Sequence, residues 1–322
     1  MECSLKIFPS MTSKTIILDP PDSELTSDIV NQSDPPLVSL CIPAYNNEDT
    51  IGRTLESFSS QNYPNIEIIV VDNGSTDQTR KIAEQYTEKV FVEKGPIGKV
   101  RQRTVKEADG NILGLFDSDI VFPTEDWLSN AVRYFNYDET VSTVWPENVA
   151  PPGSSPTTRL YFELWHVVER DRMEADRGPF GGGNALFRRD ALEAVGGIDA
   201  SLHYVEDLDW AVRLQEAGYK VVYIIEPIHH YTMLSFTEFA RKQFMATEKF
   251  ARAGGEVTGL PVSRLIYEQI ILGTKGMIKG IVKEREPVWL LFPAFLLVRS
   301  IAFLKTTLTL FWERFRGTGP TD

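Results

Sequence analysis

Residues 66–77 read IEIIVVDNGSTD, and this stretch decides the fold class that we predict. Its first six residues are mostly β-branched, which is typical of a buried strand in a parallel sheet. The strand ends at Asp72. Gly74 then permits a tight turn, and Ser75 or Thr76 can cap a following helix. The stretch therefore predicts a strand, a polar loop and a helix, the repeating unit of an α/β domain.

Segments of the same two kinds alternate on both sides of this stretch. Short β-branched runs predict strands at 38–42, 66–71, 90–92, 112–116, 141–144 and 221–225. Segments of helical period predict helices at 48–60, 76–87, 99–108, 125–137, 189–195 and 206–217. The alternation predicts an α/β fold with a Rossmann-like, mostly parallel sheet and helices on both faces. Ligands of such sheets bind at the carboxyl ends of the strands.

The composition excludes several classes of protein. The chain has 322 residues, of which 42% are hydrophobic and 24% charged, so it is neither a disordered chain nor a disulfide miniprotein. Its formal net charge of −12 argues against nucleic-acid binding, which needs a basic face. Cys3 lies in a polar tail and Cys41 in an apolar run, which does not favour a disulfide between them. The sequence is therefore more typical of a protein from a reducing compartment. Residues 1–20 show no secretory signal.

The two ends of the chain differ in composition from the middle. Residues 12–37 are rich in Ser, Thr, Asp and Pro, so we predict a flexible N-terminal leader at 1–36. The α/β domain is predicted at 37–235. A helical extension, apolar and basic, is predicted at 236–322.

The extension has the character of a segment that contacts a membrane. Residues 288–312 are long enough to cross a bilayer, but Pro293, Arg299 and Lys305 interrupt them. Residues 275–316 carry eight basic and three acidic side chains inside an acidic protein. This asymmetry predicts contact with an anionic membrane surface. The alternative is a helical hairpin that covers the α/β domain or a dimer interface, and the oligomeric state stays undefined.

Polar loops follow three of the predicted strands. Residues 43–48 read PAYNNE and follow the first strand. Residues 112–119 read ILGLFDSD, so Asp117 and Asp119 lie at the end of a buried strand. Two carboxylates separated by one residue can share a hard divalent cation whose other ligands are phosphate oxygens and water.

Three further motifs follow, GGGNALFRR at 181–189, GGID at 196–199 and VEDLDW at 205–210. Taken in order with the loops, they resemble glycosyltransferase family 2 over residues 37–230. The resemblance implies the GT-A fold and an inverting enzyme that depends on a nucleotide sugar.

The resemblance also implies roles for individual residues. Asp207 matches the catalytic base, and Asp72 matches the aspartate that hydrogen-bonds the nucleotide base. Arg101 matches the arginine of an Ala-Arg-Asn stretch, from which Gln102 departs. The residues implied to bind the nucleotide sugar are Pro43, Ala44, Tyr45, Glu48, Asp72, Asn73, Arg101, Asp117, Ser118, Gly182, Gly183, Asn184 and Glu206.

The implied metal is Mn²⁺ or Mg²⁺, held by Asp117, Asp119 and a histidine that follows the strand at 221–225. Of the two aspartates, Asp119 matches the one that binds the metal ion more directly. His229 and His230 are adjacent, and two such side chains cannot easily face one ion from an extended chain. The spacing favours His229.

The chemistry explains why these residue types are needed. Displacement at an anomeric carbon builds negative charge on the departing nucleoside diphosphate, which a cation stabilises. One carboxylate takes the proton of the acceptor hydroxyl, and a single displacement inverts the configuration. The predicted partners are a donor, UDP-linked by preference, and a glycan or lipid-linked acceptor. The predicted location is the cytoplasmic face of the membrane, with the chain peripheral or anchored by its C-terminal extension.

The sequence leaves alternatives open. A polyprenyl-phosphate acceptor and a growing glycan are not separated by the sequence. A non-catalytic, nucleotide-sugar-binding membrane scaffold is a further alternative, against which the retained Asp117, Asp119 and Asp207 argue. A sugar-nucleotide nucleotidyltransferase would need a loop rich in lysine and glycine after the first strand, where this chain has PAYNNE.

Overall fold

The computed structural model describes residues 16–18, 35–174, 183–232, 235–257 and 267–316. These residues divide into two compact units. The first lies within Met1–Pro151 and Glu169–Tyr231, and the second lies within Pro152–Val168 and Thr232–Asp322. The first unit holds the sheet, whereas the described part of the second is helical.

The first unit alternates strands with helices. Its described strands are β1 (Ile16–Leu18), β2 (Val38–Ala44), β3 (Ile66–Asp72), β4 (Val90–Val92), β5 (Ile112–Leu115), β6 (Ile120–Val121), β7 (Val141–Val149), β8 (Ala185–Arg188) and β9 (Lys220–His230). The helices are α1 (Ile51–Ser59), α2 (Thr79–Ala83), α3 (Ile97–Glu107), α4 (Trp127–Arg133), α5 (Pro156–Glu174), which begins in the second unit, α6 (Arg189–Ala194) and α7 (Glu206–Glu216).

The sheet has the order β1-β9-β7-β8-β5-β2-β3-β4, with β6 paired to β9. Five pairings are parallel, namely β2 with β3 and β5, β3 with β4, and β9 with β1 and β7. The other three are antiparallel and involve β8 and β6. The mostly parallel α/β sheet predicted from the sequence is therefore confirmed.

Strand β8 was not predicted, and it shapes the edge of the sheet. It is only four residues long and lies antiparallel between β5 and β7. The register pairs Leu115, the last residue of β5, with Ala185, the first of β8. The residues just beyond this pair, Phe116 and Asn184, therefore lie at the same edge.

Apolar side chains cover both faces of the sheet, as a doubly wound fold requires. Leu40 and Ile42 of β2 belong to one buried cluster, and the intervening Cys41 belongs to the cluster on the other face with Trp210 of α7. Burial raises the pKa of the Cys41 thiol to about 12, so this thiol stays protonated at neutral pH.

The second unit consists of helices around an apolar core of its own. After the start of α5 come α8 (Phe236–Val257), α9 (Gly273–Lys279) between π-helical turns at Tyr267–Leu272 and Gly280–Glu284, a 3₁₀ turn at Pro287–Leu291 and α10 (Phe292–Arg316). Phe239, Trp289 and Phe295 are buried in the core. Within the described residues, one helical segment, Pro287–Glu313, is long and apolar enough to cross a membrane, by length and composition alone.

Candidate functional site

The loops after β2 and β3 are fastened to each other by hydrogen bonds. Oδ1 of Asn46 accepts from the N–H of Thr76 at 2.9 Å, and the N–H of Asn46 donates to Ser75 Oγ at 2.9 Å. Oε2 of Glu48 accepts from the N–H of Gln78, also at 2.9 Å. Asn46 has a φ of 51°, a left-handed conformation that asparagine tolerates better than most residues. The two loops therefore form one braced platform at the carboxyl edge of the sheet.

Asp72, at the end of β3, closes the turn that follows it. Its buried carboxylate accepts from the N–H of Gly74 at 3.1 Å and from that of Ser75 at 3.0 Å. Asn73 exchanges two hydrogen bonds with the backbone of Gly95, at 3.0 and 3.2 Å. Both predicted nucleotide-binding residues thus have a structural task in the loop.

Asp117, which follows β5, is held from two sides. Its Oδ1 accepts from Nη2 of Arg101 at 2.6 Å, and its Oδ2 accepts from Nδ2 of Asn184 at 3.2 Å. Its backbone N–H donates to Oδ1 of the same asparagine at 2.8 Å. Asn184 is buried, with a φ of 56°, and its Nδ2 also lies 3.5 Å from Oδ1 of Asn148. The carboxylate of Asp117 therefore has a fixed orientation.

Arg101 joins this loop to the start of α7. Its Nε donates to Oε1 of Glu206 at 2.9 Å, and the side chains of Arg101 and Glu206 are each only 7% exposed. Its Nη1 is buried and has no hydrogen-bond partner among the described residues. One guanidinium thus fixes two loops that lie far apart in the sequence.

The start of α7 carries the Glu206–Asp207 pair in a strained setting. Val205, just before the helix, has a φ of 60° and a ψ of 20°, which is unfavourable for a β-branched residue. A Cβ on Gly183 would lie 3.1 Å from Oδ2 of Asp207, so the glycine leaves room beside this carboxylate. Asp209, one helical turn from Arg213, instead forms an ion pair with it.

The charges of this cluster do not balance. Burial raises the pKa of Glu206 and of Asp207, and the positive charge of Arg101 offsets only part of that rise. Burial alone would lower the pKa of Arg101, but the charges of Asp117, Glu206 and Asp207 outweigh it and raise the pKa. Asp207 therefore has the raised proton affinity that a general base needs.

Three side chains at the same edge can hold a metal ion. Asp117, Asp119 and His230 each offer one ligand atom, and these atoms all lie within 4.8 Å of one another. Nε2 of His230 lies 3.2 Å from Oδ1 of Asp119. Carboxylate oxygens suit Mg²⁺ and Mn²⁺, and a neutral imidazole nitrogen can complete such a set. The chemistry of this set fits the metal that the sequence implies.

The histidine in this group is not the one that the sequence favoured. The predicted ligand was His229, whereas the structure brings His230 to Asp119. β6 pairs antiparallel with β9, so that Ile120 lies opposite His230 and Val121 opposite His229. Successive side chains of a strand face opposite sides, so only one of the two histidines faces Asp119. The two-residue β6 that sets this register gives no sequence signal.

The sequence model described as "Glycosyl transferase family 2" matches residues 39–196. This match identifies residues 39–196 as a glycosyltransferase family 2 domain. Glycosyltransferase AglE from Haloferax volcanii is 28% identical over 221 residues, which are 65% of this chain and 71% of that protein. The UDP-Glc:alpha-D-GlcNAc-diphosphoundecaprenol beta-1,3-glucosyltransferase WfaP from Escherichia coli is 37% identical over 109 residues, 32% of this chain and 43% of that one.

A solved structure supports the fold of this glycosyltransferase. Mannosyltransferase PcManGT from Pyrobaculum calidifontis, whose structure is a complex with GDP-Man and Mn²⁺, is similar with a TM-score of 0.56 and 18% identity. The alignment covers 84% of this chain and 88% of that one. The predicted GT-A fold is confirmed, as is the prediction of a family 2 glycosyltransferase that uses nucleotide-sugar donors.

The glycosyltransferase brings most of its predicted site residues to one edge of the sheet. Ser118, between the two aspartates, is buried, and its carbonyl accepts from Oγ1 of Thr54 at 3.0 Å. Pro43 and Ala44 are buried at the end of β2, whereas Tyr45 is 56% exposed. Their roles toward a donor stay predictions.

One predicted residue lies outside the described part of the chain, and one residue of the site was not predicted. Gly182 lies outside the described residues. Asn148, near the end of β7, contacts Asn184 but was not predicted, because no local motif surrounds it. Only the antiparallel insertion of β8 beside β7 brings it there.

Proposed function

We propose that this chain is an inverting glycosyltransferase that moves a sugar from a nucleoside diphosphate, UDP by preference, to a hydroxyl of a glycan or lipid-linked acceptor at the membrane. The observation that carries the proposal is the position of Arg101, which hydrogen-bonds both Asp117 of the Asp-x-Asp loop and Glu206 beside Asp207. It holds the loop for the leaving group and the loop for the base at one edge of the sheet.

Asp207 acts as the general base. It accepts the proton of the acceptor hydroxyl while the oxygen attacks the anomeric carbon from the face opposite the leaving diphosphate, and a single displacement inverts the configuration. Gly183 leaves open the space beside Oδ2 of Asp207, which a side chain would fill. Burial keeps the proton affinity of this carboxylate high.

The other loops bind the nucleoside diphosphate that leaves. The braced platform after β2 and β3 takes the nucleoside, and Asp72 and Tyr45 lie within it. When bound, Mn²⁺ or Mg²⁺ supplies positive charge for the developing diphosphate. Asp117, Asp119 and His230 would hold that ion, and Arg101 and Asn184 keep Asp117 oriented for it.

The acceptor is proposed to be presented at the cytoplasmic face of a membrane. The name of WfaP specifies an acceptor linked to diphosphoundecaprenol, which supports a lipid-linked acceptor here. The apolar segment Pro287–Glu313 supports membrane contact. In this proposal, residues 37–235 are the catalytic domain and residues 236–322 are the membrane-associating extension.

The experiment follows release of nucleoside diphosphate by the purified full-length chain. Mn²⁺ is present, the donors are UDP-glucose, UDP-galactose, UDP-N-acetylglucosamine and GDP-mannose, and each is tested with and without membrane lipid extract. Asp207→Asn is compared with Asp209→Asn, a matched change in the same helical turn that removes only the ion pair to Arg213. The product is examined by NMR for its anomeric configuration.

We expect release of nucleoside diphosphate from one donor, and lipid should stimulate this release. The sugar in the product should have the inverted anomeric configuration. Activity should be lost in Asp207→Asn and kept in Asp209→Asn. Retained configuration, or full activity of Asp207→Asn, would contradict the assigned base. Binding of a nucleoside diphosphate with no release from any donor would favour the non-catalytic scaffold instead.

A further inference from the structure

Helix α10 has two opposite faces. The buried positions include Phe292, Phe295, Ala302 and Thr306, which recur every three or four residues. On the opposite side lies a set that we term the apolar stripe, defined as Leu297, Ile301, Leu304, Leu308 and Phe311. Its side chains are 48% to 61% exposed. Exposed apolar side chains that share one face of a helix mark a surface that contacts another molecule.

The buried face of α10 packs on α8. The rings of Phe295 and Phe239 stack with centroids 3.8 Å apart. Nε of Arg299 donates to Oε1 of Gln243 at 3.0 Å, and Nζ of Lys305 lies 5.4 Å from the centroid of the Phe244 ring. Both basic side chains of the apolar segment thus lie against the protein.

These contacts argue against a helix that crosses the bilayer. Arg299 lies at the middle of Pro287–Glu313, so crossing would place its charge at the centre of the hydrocarbon, where charged groups are costly. Helix α8 would have to enter with it, because it packs along α10. Its Glu238, Arg241 and Lys249 are exposed and would lose their water.

Charge indicates which surface covers the stripe. Lys275, Lys279 and Lys283 are exposed in the helical segment that precedes α10. Between them, Ile278 and Val282 are 56% and 71% exposed, so apolar and cationic side chains alternate there. A surface with hydrocarbon under a layer of negative charge satisfies both kinds of side chain.

We propose that α10 lies in the plane of an anionic membrane surface, with the apolar stripe inserted among the lipids and α8 on the side of the water. The inference deepens the proposed membrane acceptor and rests on it. It makes the enzyme an interfacial protein, held along the length of one helix rather than by a spanning anchor.

The decisive experiment measures depth at three points along α10. In a Cys3→Ser background, where Cys41 is buried, Leu297→Cys, Leu304→Cys and Phe311→Cys are each labelled with bimane. The full chain is bound to vesicles of phosphatidylcholine with phosphatidylglycerol, without donor, and quenched by lipids brominated at shallow or deep positions. Leu297 and Phe311 are about 21 Å apart along the helix axis at 1.5 Å per residue.

A flat helix predicts that all three labels are quenched equally and best by the shallow bromines. Depths that differ between Leu297→Cys and Phe311→Cys by most of that length would overturn the proposal in favour of a spanning helix. No quenching at any site would overturn it in favour of a second copy of the chain as the cover, which sedimentation would detect.

A paired binding assay separates this inference from the proposed function. Leu304→Glu/Leu308→Glu should weaken binding to anionic vesicles at least tenfold, whereas Tyr86→Glu/Tyr137→Glu adds the same charge at exposed positions of the first unit and should not. Equal binding of the two pairs would contradict the proposal. Release of nucleoside diphosphate without lipid should be unchanged in both pairs, so loss of vesicle binding alone leaves the transferase assignment intact.

Discussion

Carboxylates at the two opposite edges of the sheet have opposite electrostatics. At the amino end of β3, Glu67 accepts hydrogen bonds from Lys89 Nζ at 2.6 Å, from the N–H of Asp109 at 2.6 Å and from Ser39 Oγ. Burial alone would raise the pKa of Glu67, but these donors outweigh it and lower the pKa. At the carboxyl end, Glu206 and Asp207 have raised pKa values.

The difference separates a structural carboxylate from the proposed catalytic one. The donors around Glu67 satisfy its carboxylate, so it stays ionised and ties strands to loops. At the other edge the carboxylates of Asp117, Glu206 and Asp207 share the single guanidinium of Arg101. The folded protein therefore keeps an excess of negative charge at this edge. Such a charge can bind a cation and can accept a proton.

The largest effect is expected from removing that guanidinium. Arg101→Met leaves Glu206 buried without its partner, so the free energy of unfolding should fall by about 3–5 kcal/mol and sugar transfer should be lost. Arg101→Lys keeps the charge but lacks the fork that reaches two carboxylates, and should recover stability more than turnover. Urea denaturation and steady-state kinetics measure the two effects.

The control is Arg213→Met. Its guanidinium also joins separate segments, through Asp209 and the carbonyl of Gly197, but it lies outside the charge cluster. It should lose stability and keep turnover in the fraction that stays folded. Equal loss of turnover in both arginine variants would mean that Arg101 acts through stability alone.

The next effect concerns the pH dependence of transfer. Because burial raises the pKa of Asp207 above its ordinary value of 3.8, the proposed base should become protonated, and kcat should fall, at a higher pH than for an exposed aspartate. Asp207→Asn should lower kcat by about 10²–10⁴-fold and abolish that acid limb. A profile of kcat against pH at saturating donor measures both. An acid limb that persists in Asp207→Asn would assign the titration to another group.

A smaller effect is expected at the structural carboxylate. The lowered pKa of Glu67 means that its contribution to stability is full above its ordinary value of 4.5 and is lost as the pH falls through its folded value. Glu67→Gln should therefore lower the free energy of unfolding by about 1–3 kcal/mol at neutral pH, and the deficit should shrink in acid. Denaturation at both pH values measures it, and turnover should be unchanged. A deficit that grows in acid would contradict the assigned ion pair.

The smallest effect is expected in the braced platform. Asn46→Ala removes a hydrogen bond and places alanine at a φ of 51°, so stability should fall by about 1–2 kcal/mol and the KM for the donor should rise. Asn46→Gly keeps the backbone conformation and loses only the hydrogen bond, and should lie between wild type and Asn46→Ala. Equal donor KM in all three would show that the platform does not bind the donor.

The sequence predicted the parts of the molecule that local pattern determines. All six strands and six helices that it predicted are present, because β-branched runs and helical periods specify their own elements. β1, β6 and β8 were missed, since two to four residues give no period to detect, and β1 lies within the leader that was predicted to be flexible. For a related reason the structure brings His230 to Asp119 where the sequence favoured His229, because a partner strand of two residues sets the register.

The contacts within the site depend on pairing across the chain and could not be predicted from spacing. Arg101 and Glu206 are separated by 105 residues and meet only in the folded sheet. Asn148 and Asn184 become neighbours through the antiparallel insertion of β8. The sequence thus indicated the candidates, and the fold defines which of them touch.

The central claim is that one loop holds the leaving group and another segment carries the base. Its most direct test is calorimetric binding of UDP, with and without Mn²⁺, to the wild type, Asp119→Asn and Asp207→Asn. If the Asp-x-Asp loop holds the leaving group and the start of α7 carries the base, wild type and Asp207→Asn will bind UDP tightly only with Mn²⁺. Asp119→Asn will lose that enhancement. Binding that is independent of Mn²⁺ and equal in all three proteins would contradict the account.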